Sequence, residues 1–425
     1  MSAFTTECYQ NEYLSLGASE VNAIVTVTSD GVAGQADQPE AAEIVIIDTS
    51  GSMGTPGRKI KAARQATGVA IDCIRDGVAF GVIAGSDVAR PEYPPDYTLA
   101  IASPQTRAKA KRALDRLDAK GGTAIGTWLT LAGQVFATVP GRSCHAILLT
   151  DGENQHETDE DLDRVLAALE GRFQCDCRGV GTEWKVSELR RIASALLGSV
   201  DIIAEPKAMA DDFRALMQAA MDKATGNVSL RLWTPQGASV AFVRQVAPAI
   251  EELTGRGVQV NALTADYPTA TWGRESRDYH VCIRVPPREV GDEMLAARVS
   301  LVEGEEPRAQ ALIKAIWTDD RHLSTRISRE VAHYTGQAEL ADCIQEGLEA
   351  RKEGDLGTAT SKLGRAVQLA AASGNDGTMK LLQGVVEVDD AATGTVRLKH
   401  QVTALDEMSL DTRSTATVRV GSAAT

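Results

Sequence analysis

Glu43-Ile44-Val45-Ile46-Ile47-Asp48-Thr49-Ser50-Gly51-Ser52-Met53 is the stretch on which the reading of this chain turns. Its short continuous aliphatic run has the pattern of a strand buried on both faces of a sheet. The run stops at Asp48. From Lys59 to Arg75, apolar residues recur at Ile60, Ala63, Ala66, Ala70, Cys73 and Ile74, a helical spacing closed by Asp76-Gly77. Asp48 to Met53 therefore falls where a central strand gives way to a helix, the edge at which open α/β sheets bind their ligands.

Working outward, the same alternation repeats. Val78 to Ala84 is strand-like, and Tyr97 to Ile101 is expected to form a hairpin with it across a connection rich in proline. Pro104 opens an amphipathic helix that Gly121-Gly122 stops, and Ala124 to Thr138 forms the next. Cys144 to Asp151 is another aliphatic strand ending in an acid, followed by Thr158-x-x-Asp161, a capping box for a helix through Leu169. Phe173–Cys177, Val186–Leu197, Ser199–Ala204 and Pro206–Ala224 continue the strand–helix order. Residues 42–225 are thus expected to fold as an α/β, doubly wound, mostly parallel, Rossmann-like sheet.

From Val228 the pattern changes to short alternating runs, including Val228–Leu232, Val240–Val243, Val258–Leu263, Tyr279–Val285 and Ala296–Val302. With no helix between them they predict a β-sandwich over 226–320. Val21 to Val27 alternates in the same way, so residues 1–41 are expected to supply strands to that sandwich. Residues 321–390 return to helical spacing, with Ile327, Val331, Tyr334, Leu340, Ile344 and Leu348 on one helix and Leu356, Ala359, Leu363, Ala366 and Val367 on the next. We read a helical hairpin there. Residues 391–425 are read as a C-terminal tail, whose stretch from Asp411 to Thr425, rich in Ser, Thr and Ala, is expected to be disordered or to add a strand.

The chemistry lies in Asp48-x-Ser50-x-Ser52, where three short oxygen-bearing side chains can converge across a turn that Gly51 permits. Such donors suit a hard divalent cation, which takes oxygen ligands and tends to keep some waters. Ser50 and Ser52 bring no charge, so an ion held with only two carboxylates stays electrophilic enough to accept an oxygen from outside. Neighbouring loops offer Gly121-Gly122-Thr123 and Thr150-Asp151-Gly152. At this point the sequence resembles the von Willebrand factor A (VWA) family, whose metal-ion-dependent adhesion site (MIDAS) combines Asp-x-Ser-x-Ser with a Thr and an Asp from two further loops. The resemblance implies that Ser50 and Ser52 bind the metal directly, Asp48 and Asp151 directly or through water, and Thr123 when a partner engages. It implies Mg²⁺ first, with Mn²⁺ or Ca²⁺ as alternatives, and a protein partner that offers an acidic side chain. The order of α/β domain, sandwich and helices is similar to intracellular bacterial members of the family.

A bland alternative is that Ser50, Ser52 and Thr123 simply cap helices, although capping does not account for the two acids. His156 and the acidic run Glu153 to Asp163 are read as solvated loop and helix start, and Trp128 and Trp184 as packing.

Among the 425 residues, 43% are apolar and 24% charged, the composition of a globular rather than a disordered chain. A formal charge of −14 argues against broad binding to nucleic acid or an anionic membrane. No apolar run reaches the roughly 20 residues of a membrane span, and the first residues lack the pattern of a secretion signal. Seven scattered cysteines do not form a disulfide framework, and Cys175-Asp176-Cys177 lacks the further ligands of a zinc clip. These features point to the cytoplasm. The expected role is a non-enzymatic, metal-dependent interaction module or scaffold. The alternatives are an accessory subunit of an ATP-driven chelatase or remodelling complex, with the ATPase on a separate chain, and a metal-dependent phosphatase. The last is disfavoured because position 50 is Ser where Asp-x-Asp enzymes need a second acid.

Overall fold

A computed structural model describes residues 4–31, 41–55, 57–223 and 228–420. The chain divides into two units, one of residues 33–226 and the other of residues 1–32 together with 227–425. The first unit is thus inserted in the sequence of the second.

In the inserted unit, six strands follow the order Val200–Ile203, Gln174–Val180, Ser143–Thr150, Ala41–Asp48, Ala79–Gly85 and Arg90–Tyr93. The first five are parallel. Arg90–Tyr93 runs antiparallel beside Ala79–Gly85, as does the short Ala100–Ile101. The proline-rich connection of the expected hairpin therefore contains a strand of its own, tolerated because Pro91 lies on a sheet edge. Six α-helices flank the sheet: Arg58–Cys73, Pro104–Leu114, Ile125–Phe136, Asp159–Leu169, Val186–Ala195 and Met209–Met221. Val45, Ile47, Val82 and Ile147 from the sheet meet Ile60, Ala63, Ala70, Phe213 and Met217 from the helices in one core. The capping box at Thr158 and Asp161 is present. The last helix begins at Met209, after a 3-10 turn over Pro206–Ala208, and Ala224 lies outside the described residues.

Trp128 and Trp184 are packing residues. A Cβ on Gly85 would stand 2.3 Å from the Trp128 ring and one on Gly179 2.0 Å from that of Trp184, so each indole lies directly on strand backbone. Cys175 and Cys177 are buried on Gln174–Val180, and all seven cysteines are free.

The second unit is built on two sheets. One follows the order Phe4–Gln10, Glu20–Asp30, Arg274–Arg284, Ser239–Ala247, Glu251–Glu252; the other Val258–Asn261, Thr264–Pro268, Val228–Trp233, Glu293–Glu303, Glu306–Thr318, Tyr13–Ser15. Val25, Tyr279 and Val281 from one face meet Leu230, Leu301, Ile313 and Trp317 from the other, which makes a sandwich core. Ile24 points the opposite way, onto Val331 and Tyr334 of the helix Arg329–Glu353. That helix starts two residues later than the spacing suggests: Ser328 caps it, leaving Ile327 65% exposed.

Arg329–Glu353 and Leu356–Ser373 form the expected helical hairpin, and a third helix, Asp376–Val385, follows. A β-hairpin, Val386–Asp390 with Thr395–Leu398, and a helix, Ala404–Thr412, come next, neither of which the sequence reading includes. The turn at Gly394 (φ +70°) approaches the second helix so closely that a Cβ on Gly364 would lie 2.4 Å from its carbonyl. Beyond the last helix, Ala416 bridges Ala249; residues 421–425 of the tail lie outside the described residues.

Candidate metal centre

The strand order creates the site. The chain leaving Ala41–Asp48 returns on one side of that strand, at Ala79–Gly85, whereas the chain leaving the adjacent Ser143–Thr150 returns on the other, at Gln174–Val180. Two neighbouring strands whose connections diverge leave a crevice at their carboxyl ends, the usual ligand position in such sheets. Asp48 ends the first strand, and Asp151 follows the second.

Both carboxylates are wholly buried, and Ser50 and Thr123 nearly so. Asp48 Oδ1 accepts the Ser50 N–H at 2.7 Å, and Oδ2 accepts the Thr150 hydroxyl at 2.6 Å. Ser50 Oγ and Ser52 Oγ are 2.9 Å apart, and Ser52 donates to Asp151 Oδ1 at 2.6 Å. Thr123 reaches the group on a loop tied down by backbone bonds, from Gly51 N to Gly121 O and from Lys120 N to Thr49 O. A Cβ on Gly152 would stand 3.5 Å from Ser52 Oγ and 3.6 Å from Thr123 Oγ1, so both hydroxyls border the loop that carries Asp151. All five residues singled out in the sequence come together.

These groups fit a small divalent ion. The Ser50, Ser52 and Asp151 oxygens are linked along hydrogen bonds of 2.9 and 2.6 Å, and hard divalent ions take such hydroxyl and carboxylate oxygens as ligands. No cluster of three or more His, Cys, Asp or Glu side chains suited to a metal occurs among the described residues. An ion here would therefore rely on hydroxyls as well as carboxylates.

The capping alternative fails on geometry. Ser50 precedes a 3-10 turn over Gly51–Gly54 and makes no side-chain cap bond. The helix Arg58–Cys73 begins after Gly57, not after either serine. At the start of Ile125–Phe136, the Ile125 and Gly126 N–H groups go to Asn154 Oδ1 and Glu157 Oε1 of the Asp151 loop rather than to Thr123.

Burial pushes the Asp48 carboxyl up to about 6, against the lowering effect of the bonds from Ser50 and Thr150. Burial disfavours the charged carboxylate, so a cation beside it would relieve a real cost.

Three contributors escaped the sequence reading. Lys59 donates to Asp151 Oδ2 at 2.6 Å and to Glu183 at 3.1 Å. Burial works to lower its pKa, but those two acids outweigh that effect and raise it. Nothing in the sequence separates Lys59 from its neighbours Arg58 and Lys61. Thr150 was visible beside Asp151, but its bond to Asp48 depends on strand pairing. His156 is exposed, as expected for a loop, yet its Nδ1 accepts the Thr123 N–H at 3.2 Å and its ring lies on Gly122. The acidic run meets basic partners: Glu153 pairs with Lys185, and Asp159 and Asp163 with Arg191.

Residues 44–153 match the family model for the von Willebrand factor type A domain, and residues 368–414 that for the von Willebrand factor type A C-terminal domain. A solved von Willebrand factor type A protein from Catenulispora acidiphila is 49% identical, with 99% of this chain and 98% of that one covered at a TM-score of 0.94. The ArnB paralog VWA2 from Sulfolobus acidocaldarius shares the fold at 14% identity, with 96% and 98% covered and a TM-score of 0.57. An uncharacterized protein of Synechocystis sp. is 33% identical over 218 residues, and the chain spans about half (49%) of that relative's length. Near-complete coverage at 49% identity extends through the sandwich and helices as well as the α/β unit; the chain belongs to the von Willebrand factor type A family, whose domains generally mediate protein–protein interaction.

Proposed function

We propose that Asp48, Ser50, Ser52, Thr123 and Asp151 bind one divalent cation, Mg²⁺ first and Mn²⁺ or Ca²⁺ as alternatives, and that the chain uses it to hold an acidic side chain of a protein partner. One observation carries this reading. The hydroxyls of Ser50 and Ser52 and the Asp151 carboxylate of a second loop are linked at 2.9 and 2.6 Å, Thr123 borders that loop from a third, and the hydroxyls of Ser50 and Thr123 cap no helix.

When bound, the ion supplies an open coordination position for an outside oxygen. The residues do the rest. The Ser50 N–H and Thr150 hydroxyl fix the orientation of Asp48, and Lys59 holds one oxygen of Asp151 while the other faces Ser52. His156 and the backbone bonds of the Gly121 loop hold Thr123 near the rim. The reading is non-enzymatic, since residue 50 brings a hydroxyl where phosphoryl transfer through Asp-x-Asp needs a proton donor. The charge of −14 and the free cysteines support an intracellular protein partner rather than nucleic acid or an anionic membrane. No helix among the described residues is long and apolar enough to cross a membrane.

Calorimetric titration of Mg²⁺ and Mn²⁺ into EDTA-stripped protein tests the first half. Binding at one site, lost in Asp48→Ala and Asp151→Ala, is expected; no binding to folded wild type would remove the basis for the proposal. Capture of partners from lysate with and without EDTA then tests the second half, with metal-dependent capture expected.

A further inference from the structure

A second feature of the α/β unit carries no part of this chemistry. An open cavity of about 590 Å³ lies between the helices Arg58–Cys73 and Pro104–Leu114. Lys61, Arg64 and Lys111 line it, together with Gln65 and an apolar floor of Ile60 and Leu114. On the first helix, 57, 61, 64, 65 and 68 follow one another at helical spacing, so a single stripe faces the opening.

Three cations and one acid, Asp115, stand around this cavity in a chain whose formal charge is −14. Lys111 is held by Asp72 at 2.7 and 2.9 Å. Lys61 and Arg64 have no ion-pair partner among the described residues, although the charge of Asp118 acts on Arg64. The Nε–H of Arg64 is buried without an acceptor. The helix start adds to the field. Its N-cap, Gly57, also lines the cavity, provides no side-chain cap, and is followed by no acid in the first turn, so the positive end of the helix is left uncompensated by its own residues.

We propose that this groove binds a small phosphorylated molecule, its phosphate held by Lys61 and Arg64 and its body resting on Ile60 and Leu114. A guanidinium beside an ammonium matches a compact dianion better than a single carboxylate, and the planar fork of Arg suits phosphate oxygens. The volume lies within the range of small-molecule sites. The metal ligands do not line this cavity, so the proposal does not depend on the metal reading.

Full-length, EDTA-treated protein at constant ionic strength is titrated calorimetrically with phenyl phosphate and with inorganic phosphate. One saturable site is expected, with phenyl phosphate bound more tightly because its ring covers the apolar floor. Lys61→Gln and Arg64→Gln should each weaken binding by roughly tenfold or more, while Lys207→Gln, which removes an 82% exposed lysine elsewhere on the unit, should not. Lys61 is exposed, so its variant tests binding without threatening the fold. No saturable binding, equal affinity for the two anions, or equal weakening by Lys207→Gln would overturn the proposal.

Discussion

The strands Ala41–Asp48 and Ser143–Thr150 carry acids or their partners at both ends, and the two ends solve the problem of buried charge differently. At the amino ends, Glu43 and His145 stand opposite one another in register. His145 Nδ1 lies 2.7 Å from Glu43 and Nε2 2.9 Å from Asp176, with all three largely or wholly removed from solvent. Burial alone would lower the His145 pKa, but the Glu43 charge and the Asp176 bond outweigh it and raise it to about 9. At the carboxyl ends, Asp48 and Asp151 are equally buried, yet Asp48 is met by the hydroxyls of Ser50 and Thr150 and by the Ser50 amide, whereas Asp151 has a cation, Lys59. The first end is closed by the chain's own charges, whereas at the second Asp48 has no cationic partner among the described residues. Buried charge is thus no mark of a functional site by itself.

The largest test of this contrast removes the internal cation. His145→Ala should strand two buried carboxylates and cost about 3–5 kcal/mol in urea unfolding. Asp48→Asn without metal should change stability by less than about 1 kcal/mol, because the amide keeps one acceptor and loses a charge that burial disfavours. Equal losses at both ends would break the comparison.

Next in size is the response to metal. Saturation with Mg²⁺ at about a hundred times its dissociation constant should stabilise the wild type by about 2.7 kcal/mol, read as a rise in Tm, and Asp151→Ala should show none of it. A rise retained in that variant would place the ion elsewhere.

The pH dependence sharpens the amino-end half. His145 is raised above its ordinary 6.5 to about 9, so its contribution is fully present below pH 6.5 and is lost as pH rises through 9. Asp176 is held well below its ordinary range: burial would raise it, but the bond and charge of His145 prevail. Its contribution is lost only in acid. Unfolding free energies at pH 7 and 9.5 should therefore fall for the wild type and stay level for His145→Gln; parallel slopes would refute the assignment.

The smallest effect concerns Lys59. Lys59→Met removes a positive charge beside Asp151 and should tighten Mg²⁺ binding by about threefold to fivefold, less at high salt. Weaker binding would mean that holding Asp151 in place matters more than the lysine's charge.

Much of the α/β unit was legible because its signals are local. A buried parallel strand is a run of aliphatic residues and a cap is a hydroxyl three residues from an acid, so Glu43–Asp48, Cys144–Asp151 and the Thr158 box could be read directly. The two-residue error at Ile327 and the strand Arg90–Tyr93 mark the limit of local pattern. A hydroxyl cap at Ser328 outranked hydrophobic spacing, and an edge strand tolerated a proline that a central one would not. The β-hairpin at 386–398 was invisible for a related reason: its turn is fixed by contact with a helix residue, Gly364, some thirty positions away.

By itself the sequence determined which atoms this protein can offer, two carboxylates and three hydroxyls on strand-ending loops, because donor chemistry and strand character belong to residues and their near neighbours. Only the tertiary structure decided that those atoms meet. Asp48 and Thr150 are 102 residues apart and Lys59 and Asp151 are 92 apart. Their contact follows from the order in which the strands pair, which rests on burying the whole sheet between its helices rather than on any local signal.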